Sequence, residues 1–222
     1  MRIRSFIIAY ALVLAILLFA DRRPGSAQQD RYSHVVDLTV GQSSNPLRTA
    51  LPESRTRLIA PGTLIPGTWA AGQIPPERLV APLIVIDLNR ASEISLDDIA
   101  AWEASNGMIP QGAVVAIRRV NPLANTSTNS AAPLPISGDA ATFLIDARYT
   151  IGFAVETPVN MTSDRTLARQ LALHGDYVVE GTARFTALPA TGSLIIVAPA
   201  KAGPARSQKP EESPVRILAM VR

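Results

Sequence analysis

The sequence contains no cysteine and only two histidines among its 222 residues. The absence of cysteine excludes disulfide frameworks, zinc ribbons, iron–sulfur clusters and thiol nucleophiles. The two histidines, His34 and His174, are far apart in the sequence, and a surface or helix-capping role explains each better than metal ligation. The chain also lacks a nucleophile elbow, a Walker loop and a dinucleotide-binding glycine motif. Local motifs therefore indicate no catalytic constellation.

The net positive charge of the chain comes from its N-terminus. The chain has a formal net charge of +3, with 21 basic and 18 acidic residues. Residues 1–27 hold four arginines and one aspartate, which leaves 17 basic and 17 acidic residues in the rest of the chain. No cluster of lysine and arginine with interleaved aromatic residues is present. Nucleic acid is therefore not an expected partner.

The N-terminal segment has the pattern of a signal peptide. Two arginines precede an apolar run at Phe6–Ala20, and small residues follow at 25–27. The run is shorter than the roughly 18 residues expected of a spanning helix. We predict a signal peptide over 1–27, cleaved after Ala27, a flexible lead-in at 28–33, and a periplasmic or secreted protein, with the lack of cysteine favouring the bacterial periplasm. The alternative is an uncleaved segment that anchors the chain to a membrane through residues 6–20.

Strand and helix patterns alternate through the remainder of the chain. Strands are predicted at 34–39, 79–88, 113–117, 150–155, 177–180, 194–197 and 215–221. Helices are predicted from Ser95 to Asn106, over 140–147, and from Ser163 to His174. The connecting stretches at 41–76, 121–138 and 204–213 are rich in proline, glycine and polar residues, which is typical of irregular or surface loops. The alternation predicts a single α/β domain.

Six ordered stretches of the sequence resemble one known family. They are HVVDLT at 34–39, IPGTWAAGQIPPERLVAPLIVIDL at 65–88, ISLDDIAAWEASNGMIPQGAVVAIR at 94–118, VETP at 155–158, YVVEGTARFTALPATGSLIIVAPAK at 177–201 and PVRILAMV at 214–221. The family is that of the metal-dependent cyclases, which includes bacterial kynurenine formamidases (arylformamidases). The resemblance implies one cyclase-like domain over 34–222 with mixed β/β/α architecture, and assembly as a homo-oligomer. It also implies a family reaction in tryptophan catabolism, the metal-dependent hydrolysis of N-formylkynurenine-type amides.

The metal-binding signature of that family is substituted in this chain. The family pattern is H-x-G-T-H-x-D-x-P-x-H, in which the resemblance implies that the first two histidines and the aspartate bind metal and the last histidine transfers protons. A later histidine and a glutamate complete a second metal position. The residues at these positions here are Ser54 (or Glu53, if no residue is deleted), Arg57, Ile59, Thr63, Ala168 and Glu180. Of these, only Glu180 matches a family ligand.

These substitutions predict that the family chemistry is lost. Isoleucine cannot ligate a metal ion, and an arginine at the position of the second histidine is a fixed cation that repels one. Without the metal, the usual route to a hydroxide nucleophile near neutral pH is also lost. We therefore expect a non-catalytic or binding homologue with no cofactor, in which Arg57 and Glu180 are the candidate ligand-binding residues for a small molecule.

Three alternatives remain open from the sequence. Glu180 is interpreted either as a metal ligand or as a structural carboxylate paired with Arg57 or Arg169. Arg57 is either a solvated arginine or the centre of a small-anion site. An active amide or lactone hydrolase would instead need a divalent metal ion (Zn or Mn) on a rearranged site, drawing carboxylates from Glu53, Glu180, Asp37 or Glu156.

Overall fold

The apolar runs of the sequence assemble into one mixed sheet. The computed structural model describes residues 32–40, 56–89, 92–120, 131–199 and 213–222. In these ranges the sheet has eight strands: β1 (His34–Asp37), β2 (Arg57–Ile59), β3 (Val80–Leu88), β4 (Val114–Arg119), β5 (Gly152–Val155), β6 (Tyr177–Glu180), β7 (Ser193–Pro199) and β8 (Ser213–Val221). The helices are α1 (Pro61–Leu64), α2 (Leu96–Asn106), α3 (Gly138–Thr142), which continues as a wider turn at Phe143–Ala147, and α4 (Arg165–His174). Short 3₁₀ turns lie at Ala71–Gln73, Pro76–Arg78 and Phe185–Ala187.

The strand pairings form a closed circuit. The order is β1-β8-β2-β6-β5-β4-β3-β7, and β8 pairs additionally with β7. Neighbouring strands from β3 through β4 and β5 to β6 are parallel, whereas the remaining pairs are antiparallel. The parallel strands therefore end at one common edge, which is where ligand sites of α/β sheets usually lie.

The parallel strands β3 to β6 are buried on both faces. Along β3, Leu83 and Val85 join one hydrophobic cluster, whereas Ile84 and Ile86 join another. Successive side chains of a strand point to opposite faces, so the first cluster fills the inside of the curved sheet and the second lies under the helices. Burial on both faces explains why the strands are continuous apolar runs rather than alternating ones.

Local capping residues set the helix ends that the sequence predicts. Ser95 begins α2: its hydroxyl accepts the backbone N–H of Asp98, and the Asp98 carboxylate accepts the backbone N–H of Ser95 at 2.8 Å. Asp164 begins α4, and its carboxylate accepts the backbone N–H groups of Thr166 and Leu167. The helices end at Gly107 and Gly175, which have φ angles of 87° and 73° and so occupy a region that favours glycine. No helix in the described ranges is long and apolar enough to cross a membrane.

Two loop predictions need correction. The stretch 41–76, expected to be irregular, contains β2 and α1 in its described part. Elements of three and four residues are too short to show periodicity, so the sequence could not reveal them. Part of the predicted surface loop 121–138 is buried, since Leu134 and Ile136 belong to the cluster under the helices. Residues 121–130 and 204–212 lie outside the described residues, as do residues 1–31.

Candidate functional site

Strands β2 and β6 bring two of the signature-derived positions face to face. Their antiparallel register places Arg57 opposite Glu180, and Ile59 opposite Val178. Leu58 belongs to the cluster inside the curved sheet. Because side chains alternate along a strand, Arg57 and Ile59 lie on the other face, under the helices. This register makes Arg57 a direct partner of Glu180, the residue predicted to match a family ligand.

Both carboxylate oxygens of Glu180 are engaged by the protein. The Glu180 side chain is 3% exposed, and its Oε1 lies 2.5 Å from Nη2 of Arg57. Its Oε2 accepts the backbone N–H of Val159 at 2.7 Å. A buried carboxylate needs such compensation, and a guanidinium together with an amide N–H supplies it. The predicted pairing with Arg57 is thus present, and Arg169 does not take this place.

The neighbouring signature positions are apolar. Ile59 and Ala168 are both partly buried and pack against the hydrophobic cluster under the helices. Helix α1, which carries Thr63, packs against α4, which carries Ala168. The structure thus pairs Arg57 with Glu180 across two strands, and it packs the helix that carries Thr63 against the helix that carries Ala168. Ser54 and Glu53 lie outside the described residues.

The residues present do not fit a divalent metal ion at this place. In the part of the chain that the structure describes, no three histidine, cysteine, aspartate or glutamate residues lie close enough to hold one. Glu180 is already paired with the Arg57 guanidinium, and the side chains of Ile59 and Ala168 have no atom that could ligate a metal ion. A metal ion would have to displace the Arg57 guanidinium, and among the described residues it would then find Glu180 as its one carboxylate, which is far fewer ligands than Zn²⁺ or Mn²⁺ takes.

Two of the carboxylates proposed for a rearranged site, Asp37 and Glu156, have other partners in the structure. Asp37 accepts the backbone N–H of Thr39 at 3.0 Å and lies 3.1 Å from Nη2 of Arg216. Hydrogen bonds from Thr39, with a smaller effect of Arg216, hold the pKa of Asp37 below its usual value. Asp37 is therefore ionised and locally paired on β1.

Glu156 occupies a different environment, just beyond the end of β5. Burial raises the pKa of Glu156, while hydrogen bonds from the backbone of Arg119 and Phe185 and the positive charge of Arg118 oppose this rise. Arg118 itself forms a two-pronged pair with Asp87, at 2.6 and 2.9 Å, and donates to the carbonyl of Phe185. This network ties the ends of β3, β4 and β5 to the turn after β6.

A second polar cluster lies at the opposite end of β6, and it was not among the sites predicted from the sequence. Asp176 is 1% exposed, and its Oδ1 lies 2.7 Å from Nη2 of Arg78. Burial raises the pKa of Asp176 to about 7. An acidic residue between a helix-ending glycine and an apolar strand was a usable signal, but its partner is remote in sequence. Only the tertiary fold identifies Arg78.

The fold and the signature positions define a cyclase-type α/β protein. The chain belongs to the putative cyclase family, whose model matches residues 34–160. No curated protein matches the chain in sequence.

Solved structures with the same fold include hydrolases. Isatin hydrolase A from Labrenzia aggregata, bound to benzyl benzoate, is 22% identical, with a TM-score of 0.64 over 96% of this chain and 99% of its own. An isatin hydrolase bound to the product analogue thioisatinate is 21% identical, with a TM-score of 0.65 over 100% and 99%. A potential metal-dependent hydrolase with cyclase activity is 21% identical, with a TM-score of 0.63 over 85% and 98%. At these identities the likeness establishes the fold, and it confirms the expected single-domain cyclase architecture.

Proposed function

We propose that this chain is a metal-free, non-catalytic member of the cyclase family that binds a small organic anion at Arg57. The observation that carries the proposal is the Arg57–Glu180 ion pair. The guanidinium supplies the positive charge that the family draws from a metal ion, and it does so permanently because arginine is not deprotonated in proteins.

The exposure of Arg57 supports a binding role. Glu180 is buried, but the Arg57 side chain is 41% exposed, so one end of the guanidinium is committed while the rest reaches solvent. A guanidinium has five N–H donors in a fixed fork, which suits a carboxylate. The apolar side chains of Ile59 and Ala168 nearby favour an anion with an apolar body. The thioisatinate held by a hydrolase of the same fold is a reasonable first probe.

Ligand binding is tested by thermal-shift measurements with thioisatinate, benzoate and aliphatic carboxylates, followed by calorimetry on any hit. We expect at least one carboxylate to raise the melting temperature of the wild-type protein. We expect Arg57→Lys, which keeps the charge but loses the fork, to weaken that response. Arg216→Lys is the matched control, because Arg216 pairs with Asp37 on an exposed surface. An equal response in Arg57→Lys, or none with any carboxylate, would refute the assignment.

Loss of the metal is tested separately, by metal analysis of protein dialysed after incubation with Zn²⁺ or Mn²⁺. We expect far less than one equivalent to remain. Near-stoichiometric metal would instead support the alternative of an active amide or lactone hydrolase. Turnover of N-formylkynurenine or simple lactones is measured in parallel with Glu180→Ala as the reference, and we expect no turnover above that reference.

We further propose that the protein is exported through residues 1–27 and assembles as a homo-oligomer. The export prediction is tested by the intact mass of protein recovered from a bacterial periplasmic extract, which should begin at Gln28. A full-length mass in the membrane fraction would support the anchored alternative. Light scattering measures the assembly state, and a monomer at micromolar concentration would contradict the oligomer.

A further inference from the structure

The polar cluster around Arg78 and Asp176 lies at the end of β6 opposite Glu180, and the inference drawn from it does not depend on the proposed anion site. We call it the Arg78 clasp: it consists of Trp69, Arg78, His174, Asp176 and Tyr177. Arg78 is the hub, at the end of the turn that precedes β3. The other four residues surround it from the segment after α1 and from the junction between α4 and β6.

Three contacts hold the Arg78 guanidinium, and a fourth holds its backbone. Its Nη2 lies 2.7 Å from Oδ1 of Asp176 and donates to the carbonyl of His174 at 3.4 Å. The guanidinium carbon lies 5.7 Å from the centroid of the Trp69 ring, within the range of a cation–π contact. The Tyr177 hydroxyl donates to the Arg78 carbonyl at 2.9 Å. One side chain thus links two segments that are remote in sequence.

The Trp69 ring packs between the Arg78 guanidinium and Gly175. A Cβ atom placed on Gly175 would lie 2.6 Å from a ring carbon, so the indole packs directly on the Gly175 backbone. The ring is nevertheless 38% exposed. The Trp69 carbonyl accepts the backbone N–H of Gly62 at 2.8 Å, which ties the tryptophan to helix α1. A movement of the Trp69 backbone would therefore disturb its hydrogen bond to α1, the helix that carries Thr63.

The hydrogen-bonding capacity of the clasp is not fully used within the part of the chain that the structure describes. Oδ2 of Asp176 and Nε of Arg78 are buried, and neither has a hydrogen-bond partner. A buried polar atom without a partner is costly, and the cost is greatest for a charged group. Protonation would relieve Asp176 of its charge but would also remove the attraction that holds Arg78. Each protonation state of Asp176 therefore leaves part of the cluster unsatisfied, and burial raises the pKa of Asp176 to about 7.

We propose that Arg78 and Asp176 form a pH-responsive clasp on Trp69. The ionised carboxylate holds the guanidinium against the indole and fixes the segment after α1 on the α4–β6 junction. Protonation of Asp176 frees the guanidinium to turn toward solvent, and Trp69 loses one of the two surfaces that hold it.

Further ionisable groups that face the cluster are Asp146, His174 and Tyr177. Asp146, from the turn after α3, adds negative charge that raises the pKa of Asp176 further. Its Oδ1 lies 3.5 Å from Nε2 of His174, which belongs to the last turn of α4. Burial raises the pKa of Tyr177 well above its usual value, so this hydroxyl stays protonated. His174 lies beside Asp176, so the experiment must separate the effects of these two residues.

Acrylamide quenching of tryptophan fluorescence tests the clasp on the full chain. Acrylamide is uncharged, so its approach does not itself depend on protein charge. Trp102 is 9% exposed and donates to the carbonyl of Val85, so quenching reports mainly on Trp69. A Trp69→Phe variant measures the remaining signal. In the wild-type protein we expect quenching to increase as pH falls, in one transition centred near pH 7.

The variants distinguish the proposal from its alternatives. We expect Asp176→Asn to abolish the transition, Arg78→Met to give high quenching at every pH, and His174→Gln to leave the transition in place. A transition that survives in Asp176→Asn, or that disappears in His174→Gln, would overturn the proposal, as would a wild-type protein without any transition. Should Asp176→Asn fail to fold by circular dichroism, the pH profile of Arg78→Met decides, because a transition there excludes the clasp.

Discussion

Replacing Arg57 with methionine isolates the energetic role of the ion pair that occupies the signature region. The change leaves the Glu180 carboxylate buried, with the Val159 N–H as its remaining hydrogen-bond donor. Removing one partner of a buried pair costs about 3–5 kcal/mol, because the other charge is left uncompensated. Arg57 is 41% exposed, so water can enter the space it vacates. We therefore expect the low end of that range, about 3 kcal/mol.

The second half of the prediction is a rescue. In Arg57→Met/Glu180→Gln, the buried charge is gone while the glutamine carbonyl can still accept the Val159 N–H. Removing both charges of a buried pair is often nearly neutral, so we expect the double variant to recover most of the loss, to within about 1 kcal/mol of the wild type.

Urea denaturation followed by circular dichroism measures both variants at pH 7.5. Arg216→Met is the control, since it removes an arginine from an exposed pair and should change the free energy of unfolding by no more than about 1 kcal/mol. The reasoning is refuted if Arg57→Met is as stable as this control. It is also refuted if the double variant is less stable than the single one, because Glu180 would then not be the residue that Arg57 stabilises.

Three further predictions concern packing, capping and pH. Gly152→Ala would place a Cβ 2.6 Å from the carbonyl oxygen of Tyr177, and we expect it to lower the free energy of unfolding by about 1–3 kcal/mol in urea denaturation, whereas Gly138→Ala, with open space around its Cβ, should not. Ser95→Ala removes the side-chain acceptor at the start of α2 and should cost about 1 kcal/mol, measured in the same way. Burial raises the pKa of Asp176 from 3.8 to about 7, so this residue binds more protons in the folded protein than in the unfolded chain between these values, and its contribution to stability is greatest below pH 4 and is lost as pH rises to 7. A shift of about 3 units corresponds to about 4 kcal/mol, and Asp176→Asn should remove this pH dependence; an unchanged slope would contradict it.

The clasp and the global stability should respond to acid in opposite directions. Protonation of Asp176 weakens its hold on Arg78, yet it also removes the free-energy cost of a buried carboxylate. Trp69 is therefore expected to become more accessible to quencher over the same pH range in which the whole protein becomes harder to unfold. This combination separates a local release from general acid unfolding, in which both measurements would move together.

The features that the sequence predicted correctly depend on neighbouring residues. Ser95 and Asp98 cap one helix because they are three residues apart, and Gly175 ends another because it adopts a left-handed conformation at little cost. The parallel strands were visible because both of their faces are buried, so their apolar runs are unbroken. The resemblance to the family signature also predicts that Arg57 and Ile59 replace metal ligands, and this stays a prediction.

Partners remote in sequence were decided by the tertiary structure. The sequence left Arg57 and Arg169 as equal candidates for Glu180, and the antiparallel register of β2 and β6 selects Arg57 by placing it directly opposite. Nothing in the sequence joined Arg78 to Asp176, which meet only because the turn before β3 packs on the α4–β6 junction. Composition and spacing determine which groups this protein has for chemistry. Only the pairing of β2 with β6, which brings residues from opposite halves of the chain within hydrogen-bonding distance, decides that Glu180 is held by an arginine.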